Sequence, residues 1–261
     1  MPDSSPPVFF SIAVPAFREC PIIAETCSEI FKAFDEEGLH DIEILVIDDN
    51  SQDGTDVVLQ KLAHREPRIR PILNTKRRGF GASLVQAFDA FQGDAICITM
   101  ADLSDSPADL VSYYRLMRDG EECVFGSRFI KGGQALNYPR IKLIVNRFVN
   151  WVLQVLFWIP LNDVTGACKC YRRNVVDGVR PILSKHFSIT VEMPLKAIVR
   201  GYQYRVIPIT WTNRRENFSN LSLTRQSPRY LYAVLCVWLE RLLVAADYRR
   251  EDQPARRKCT R

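Results

Sequence analysis

Ile42-Glu43-Ile44-Leu45-Val46-Ile47-Asp48-Asp49-Asn50-Ser51-Gln52-Asp53-Gly54-Thr55 is an apolar, β-branched run that ends in two carboxylates and a turn. Such a run reads as a buried strand, and it delivers both acids to the strand's C-terminal edge. In open α/β sheets that edge is where ligands bind. Asp53-Gly54 supplies the turn, and Asp53 or Thr55 can cap a helix that starts near Asp56. Carboxylates at this place can accept hydrogen bonds from a ribose or a base.

On both sides of this stretch, strand-like and helix-like segments alternate. Strands are expected at Val8–Pro15, Ile69–Leu73, Ala95–Met100 and Cys123–Gly126, with helices at Cys20–Glu37, Asp56–His64, Gly81–Phe91 and Asp109–Arg118. The alternation predicts an α/β fold, a largely parallel sheet with helices on both faces. Beyond Gly132-Gly133 the character changes: aromatic and aliphatic residues mix with Arg and Asn up to Leu161. A helix near Val191–Arg200, a strand at Tyr204–Trp211 and a long amphipathic helix follow.

Composition excludes several classes. The chain has 261 residues and a net charge of +5, without the dense basic, aromatic-interleaved stripe of a nucleic-acid binder. Its eight cysteines are scattered, none in a Cys-x-x-Cys pair, which suits a reducing compartment rather than a disulfide framework or a zinc site. The apolar segments Phe148–Leu161 and Tyr230–Ala246 fall short of the roughly 20 apolar residues needed to cross a bilayer. No signal peptide is read in the polar start.

A second strand, Ala95–Met100, delivers Asp102 to the sheet edge, followed by Ser104, Asp105 and Ser106 before Pro107. A hard divalent cation takes oxygen ligands, and Mg²⁺ typically uses one or two carboxylates plus substrate phosphates. Asp105 or Ser106 is expected to cap the next helix, and Asp102 is not. The loop Lys76-Arg77-Arg78-Gly79-Phe80-Gly81 joins cations to glycines ahead of a helix, an arrangement that favours an anion. Gly126-Ser127-Arg128 places another cation at the end of the fifth strand.

The ordered set of blocks resembles the family 2 glycosyltransferases of GT-A fold, and is most similar to the dolichol-phosphate mannose synthases and other polyprenyl-phosphate glycosyltransferases. The matching blocks are Val14-Pro15-Ala16-Phe17-Arg18-Glu19, Asp48-Asp49, Arg78-Gly79-Phe80-Gly81-Ala82, Ala101-Asp102-Leu103-Ser104 and Gly126-Ser127-Arg128-Phe129. Asn162-Asp163-Val164-Thr165-Gly166, Val191-Glu192-Met193 and Ile207-Pro208-Ile209 continue it, so that the match runs from about Phe10 to Leu223. The resemblance implies that Pro15, Phe17, Glu19, Asp48, Asp49, Arg78 and Gly79 line a nucleotide-sugar pocket, with Asp102 and Ser104 at a Mg²⁺ or Mn²⁺ ion. It also implies that Arg128 and Arg140 meet donor or acceptor phosphates, and that Asp163, Thr165, Glu192 and Arg214 shape the acceptor side.

The chain departs from the family at two places. It has Met100-Ala101-Asp102 where members usually carry Asp-x-Asp, and Ser219-Asn220-Leu221 where Ser-Lys-Leu is typical. Lipid-phosphate binding then rests more on Arg214, Arg215 and Arg225.

The expected activity is inverting transfer of a hexose, mannose or glucose, from a GDP- or UDP-sugar to dolichyl or polyprenyl phosphate at the cytoplasmic membrane face. A lipid phosphate is already anionic and needs no general base, which fits three histidines in unrelated contexts. The aromatic stretch at 134–161, the helix at 224–248 and the basic tail at 249–261 are expected to lie against the membrane surface, with residues 1–7 a disordered lead-in and 8–223 the catalytic domain. Packing on a second copy or a membrane-anchoring subunit is the alternative. The rival functions are a family 2 enzyme with a soluble or glycan acceptor, and a non-catalytic nucleotide-sugar-binding homologue.

Overall fold

The computed structural model describes residues 8–76, 78–214 and 223–249, with residues 223–226 described by their backbone alone. Arg215, Ser219-Asn220-Leu221, the Arg225 side chain and the tail beyond Arg249 therefore lie outside the described residues.

β1 (Phe10–Ala16), β2 (Ile42–Asp48), β3 (Ile69–Leu73) and β4 (Ala95–Ile98) are parallel neighbours in the order β3-β2-β1-β4. Period-2 alternation explains how both sheet faces are buried. Phe10, Ile12, Val14, Ile44 and Val46 enter one core layer with Ile23, Cys27 and Phe34 of α1 (Ile23–Asp35) and Tyr113 and Tyr114 of α4 (Pro107–Arg118). Ala13, Leu45 and Ile47 point to the other layer, among Leu84 and Phe88 of α3 (Phe80–Ala90) and Val191 and Leu195 of α7 (Ile189–Val199). α2 (Thr55–Arg65) follows the Asp53-Gly54 turn, where Asp53 accepts hydrogen bonds from Thr55 N–H (3.1 Å) and its hydroxyl (2.6 Å). Chain direction from β1 to β2 goes one way and from β3 to β4 the other. The crevice at the carboxyl ends of β1, β2 and β4 is thus the topological switch point, where doubly wound sheets bind ligands.

The sheet continues with β7 (Lys169–Arg172), β5 (Cys123–Ser127) and β8 (Tyr204–Pro208). β7 runs antiparallel to both β4 and β5, and was not expected from the sequence. The strand expected at Tyr204–Trp211 is two strands. β8 pairs with β5 as far as Pro208, and then β9 (Thr210–Thr212) leaves to pair with β6 (Gln134–Leu136) in a separate ribbon. α6 (Arg173–Gly178) leads from β7 into the Arg180–Ser188 segment.

That segment packs on α3 at two glycines. A Cβ at Gly81 would lie 2.4 Å from Ser184 O and 2.7 Å from His186 O, and one at Gly79 would meet the His186 ring at 2.6 Å. Gly79 also has φ +97, which a side chain rarely adopts. Gly81→Ala is therefore expected to destabilise the protein by about 1–3 kcal/mol through overpacking against backbone. Urea denaturation checks this, the midpoint falling with unchanged slope.

α5 (Arg140–Phe157) buries Asn150, Leu153 and Phe157 and turns a long apolar face outward: Ile141, Ile144, Phe148, Trp151, Val155 and the following Trp158 are all exposed. α8 (Leu223–Leu243) sends Ala233 and Val237 into the core and leaves Leu231, Leu235, Leu239 and Leu242 exposed. It is fixed to α7 by a bidentate pair, Arg200 to Glu240 at 2.7 and 2.8 Å. α9 (Ala245–Tyr248) ends the described chain. No helix among the described residues is long and apolar enough to cross a membrane.

Candidate active site

Three loops meet at the switch point through side-chain to backbone bonds. Asp48, buried at the end of β2, accepts the Ser51 hydroxyl and, at 3.3 Å, the Ser51 N–H. Burial raises its pKa, and the Ser51 bonds oppose the rise. The Ser51 hydroxyl oxygen in turn accepts the Arg18 N–H at 2.8 Å, and Asp53 accepts the Cys20 N–H at 3.3 Å. The loop after β1 and the loop after β2 are thereby one wall, which holds Arg18, Asn50 and Gln52 at positive φ. Asp49 accepts the Arg78 N–H at 2.6 Å and the Gly79 N–H at 2.9 Å, so it secures the basic loop ahead of α3.

Asp102 lies just past β4, half-buried, with Leu103 at φ +55 and the Ser104 N–H donated to its carboxylate at 3.1 Å. Asp102, Arg18, Glu19, Pro21, Ile22 and Arg214 line a cleft of about 250 Å³. The structure thus gathers Glu19, Asp102 and Arg214, far apart in sequence, around one opening. Asp48 is joined to the Arg18 backbone of this wall through Ser51, while Asp49 donates its N–H to Ala16 O and holds the Arg78-Gly79 loop with its carboxylate. Pro15 is buried within β1, and Phe17 lies beneath the Arg18 guanidinium at 5.4 Å.

The N-cap of α4 falls at Ser106, one of the two positions expected, although its side chain makes no capping hydrogen bond. Asp105 turns back to accept the Met100 N–H at 3.1 Å and lies by the Thr99 hydroxyl at 3.4 Å. Burial pushes its carboxyl up to about 6, and the Asp102 charge adds to the rise. A strand-end amide that would otherwise be orphaned takes precedence over a helix cap that Pro107 makes less necessary.

Just past the end of β5, Arg128 and Asp163 form a buried fork. Asp163 accepts Arg128 Nε at 2.8 Å, Nη2 at 2.7 Å and the backbone N–H at 3.1 Å. Phe129, Tyr138 and Trp211 surround the guanidinium at 5.1, 5.6 and 5.6 Å. Burial works against the Arg128 charge, but the Asp163 carboxylate outweighs it. Thr165 ties the same turn to α5, its hydroxyl accepting Asn146 Nδ2 at 2.8 Å and Asn150 Nδ2 at 3.0 Å. Arg140 is exposed at the start of α5. Glu192 is buried away from the cleft and organises the loop that abuts Gly79 and Gly81. It accepts the Leu183 and Ser184 N–H groups at 2.8 and 2.7 Å and pairs with Lys196 at 2.8 Å.

One buried charged side chain near the fork was not picked out from the sequence. Lys169, in the Cys-Lys-Cys tripeptide of β7, is wholly buried and donates to Val164 O at 2.9 Å and to Gly166 O. A lysine inside a strand otherwise built of buried residues is the clue.

Among the described residues no set of three or more His, Cys, Asp or Glu side chains is arranged to hold a metal by itself. The donor set at the cleft, a strand-end carboxylate with a serine beside it, fits a hard cation that completes its shell with substrate phosphate oxygens.

Strand-end acids on a twisted, mostly parallel sheet, facing a cleft at the switch point, define a glycosyltransferase of GT-A architecture. The chain belongs to glycosyl transferase family 2, whose model matches residues 11–180. It is 29% identical to the polyprenol monophosphomannose synthase of Mycolicibacterium smegmatis over 187 residues, 69% of this chain and 71% of that one. It is 27% identical to the dolichol-phosphate mannosyltransferase of Pyrococcus furiosus over 208 residues, 77% of this chain and 55% of the relative's length. Among solved structures, the glucosyl-3-phosphoglycerate synthase of Mycobacterium tuberculosis with UDP superposes with a TM-score of 0.67 at 16% identity, covering 88% of this chain and 80% of that one. A mannosyltransferase of Pyrobaculum calidifontis with GDP-mannose and Mn²⁺ gives a TM-score of 0.62 at 16% identity, covering 95% and 74%.

Proposed function

We propose that this glycosyltransferase moves a hexose, mannose in the first instance, from a nucleotide sugar to a polyprenyl or dolichyl phosphate at the cytoplasmic face of a membrane. The observation that carries the reading is the cleft shared by Glu19, Asp102 and Arg214 at the switch point, within a chain whose curated relatives are named for this transfer.

The residues divide the work by charge. Asp48 and the loop bound to Asp49 form the nucleoside end, where a buried carboxylate can accept ribose hydroxyls. Asp102 and Ser104 would hold Mg²⁺ or Mn²⁺, which when bound neutralises charge on the departing diphosphate. Arg214 draws an anion to the cleft, and exposed Arg140 stands at the start of the α5 apolar face. The Arg128–Asp163 fork fixes a cation among aromatic walls without any reorganisation during the reaction. The attacking lipid phosphate carries its own negative charge, so no residue has to remove a proton, and in-line attack inverts the anomeric carbon.

Lipid as acceptor is supported by the outward face of α5. Ile141 is 77%, Phe148 61%, Trp151 57% and Trp158 86% exposed, a pattern suited to the headgroup region of a bilayer. Phe148→Glu with Trp151→Glu is expected to weaken partitioning onto vesicles by about a hundredfold or more, read by co-sedimentation, because each apolar side chain inserted contributes ~1.5 kcal/mol or more. Circular dichroism should be unchanged. Equal sedimentation of both proteins would remove the membrane role from α5.

The function is tested by a screen of nucleotide sugars against polyprenyl phosphate, read by mass spectrometry of the organic phase. Appearance of a glycosyl-phosphoryl-polyprenol is expected. Product confined to an aqueous glycan would assign a soluble acceptor instead.

A further inference from the structure

The Asn162–Gly166 turn joins three parts of the molecule. Asp163 grips Arg128 beyond β5, Asn162 accepts the Ser127 hydroxyl at 2.6 Å, and Thr165 is bound by Asn146 and Asn150 of α5. Arg147 of α5 also donates to Asn162 O at 3.0 Å. The turn thus links the helix with the outward apolar face to the caged guanidinium. What holds the turn from beneath is Lys169, whose ammonium donates to the carbonyls of Val164 and Gly166, on either side of Thr165 and next to Asp163.

We propose that Lys169 is a positioning residue for Arg128, acting through the Asp163 turn, and that its proton makes sugar transfer responsive to alkaline pH. The inference rests on the transferase reading above for the rate it affects, but not for the geometry it describes.

Four groups face the ammonium: Asp163 from the turn, Arg128 from the end of β5, Asp105 from the loop after β4, and Cys168 on its own strand. Burial first and then Arg128 lower the Lys169 pKa, Asp163, Cys168 and Asp105 oppose them, and the balance brings it down to about 8. Below pH 8 the ammonium offers three donors and a positive charge beside Asp163. Above pH 8 the amine keeps two donors and loses the charge, so the turn loosens and Arg128 is less firmly placed. Cys168 stays a thiol across this range, because its pKa is raised well above the ordinary value by the Cys97 hydrogen bond and by burial. Asp105, near 6, has already ionised below it.

Lys169→Arg keeps a permanent charge and Lys169→Met removes it at similar length. Transfer from nucleotide sugar to polyprenyl phosphate is measured from pH 6.5 to 9.5. In the wild type kcat is expected to fall with a midpoint near pH 8, in Lys169→Arg that limb disappears, and in Lys169→Met kcat at pH 7 drops roughly 10- to 100-fold, as for other groups that orient a functional side chain. The Arg128 Nε–H cross-peak of ¹⁵N-labelled protein, assigned by its loss in Arg128→Lys, gives a readout independent of turnover. It should shift with the same midpoint in the wild type and be pH-independent in Lys169→Met, with melting curves confirming that each variant folds. An Arg128 cross-peak that does not move in the wild type, or the same alkaline limb in Lys169→Arg, would overturn the proposal. Absence of transfer by the wild type at every pH would instead count against the transferase reading, and the cross-peak would still decide the role of Lys169.

Discussion

Asp102→Ala is expected to lower kcat/KM for sugar transfer by about a hundredfold or more, the usual loss when a group that organises charge on the leaving phosphates is removed. Asp102 sits past the end of β4, half-buried, on the wall of the cleft with Glu19 and Arg214. Its carboxylate accepts the Ser104 N–H at 3.1 Å. Because it lies on the cleft wall rather than in the core, the melting temperature should change by no more than ~2 °C. Mn²⁺ titrated into protein with bound nucleoside diphosphate, followed by electron paramagnetic resonance, should show affinity falling in step with activity. Wild-type turnover in the variant would remove Asp102 from the chemistry. Met100→Asp is the converse experiment: it adds the carboxylate that most of the family carries at this position, and tighter Mn²⁺ binding is the expected result.

The second large effect is on stability. Asp163 is fully buried and Arg128 nearly so, and three hydrogen bonds join them. Asp163→Ala leaves a guanidinium buried without its counter-charge, which costs about 3–5 kcal/mol, whereas replacing both partners by apolar residues is far milder. A fall in melting temperature on the order of 10 °C is expected for Asp163→Ala. Arg128→Met combined with Asp163→Leu should recover much of it without restoring transfer, a separation that a purely structural pair would not give. Calorimetry of the two single variants and the double variant measures the coupling.

How far the sequence carried the reading depends on distance along the chain. β2 with its two terminal acids, the helix after Asp53-Gly54 and Asp102 beyond β4 were readable, because each is a local pattern of β-branched residues followed by turn chemistry. The boundaries of β3 fell where expected, at Ile69–Leu73. β7 was missed because four residues, Lys-Cys-Tyr-Arg, are too few to show a period, and because the lysine at their head argues against burial. Only the carbonyls of Val164 and Gly166 explain why it is there. The run at Tyr204–Trp211 looked continuous because its residue types favour strands throughout. The exchange of partners after Pro208, from β5 to β6, is a tertiary event. The Arg128–Asp163 fork joins residues 35 apart and leaves no local trace. The Asp49 carboxylate also fastens the Arg78-Gly79 loop, a detail that composition does not encode.

The central claim is that the acids at the carboxyl edge of the sheet and Arg214 together receive a nucleotide sugar. A crystal structure of the protein soaked with GDP-mannose and Mn²⁺ tests it most directly. The account predicts the nucleoside against the Asp48 turn, and the diphosphate in the cleft with the cation on Asp102. A nucleotide bound elsewhere, with that cleft left to solvent, would contradict it.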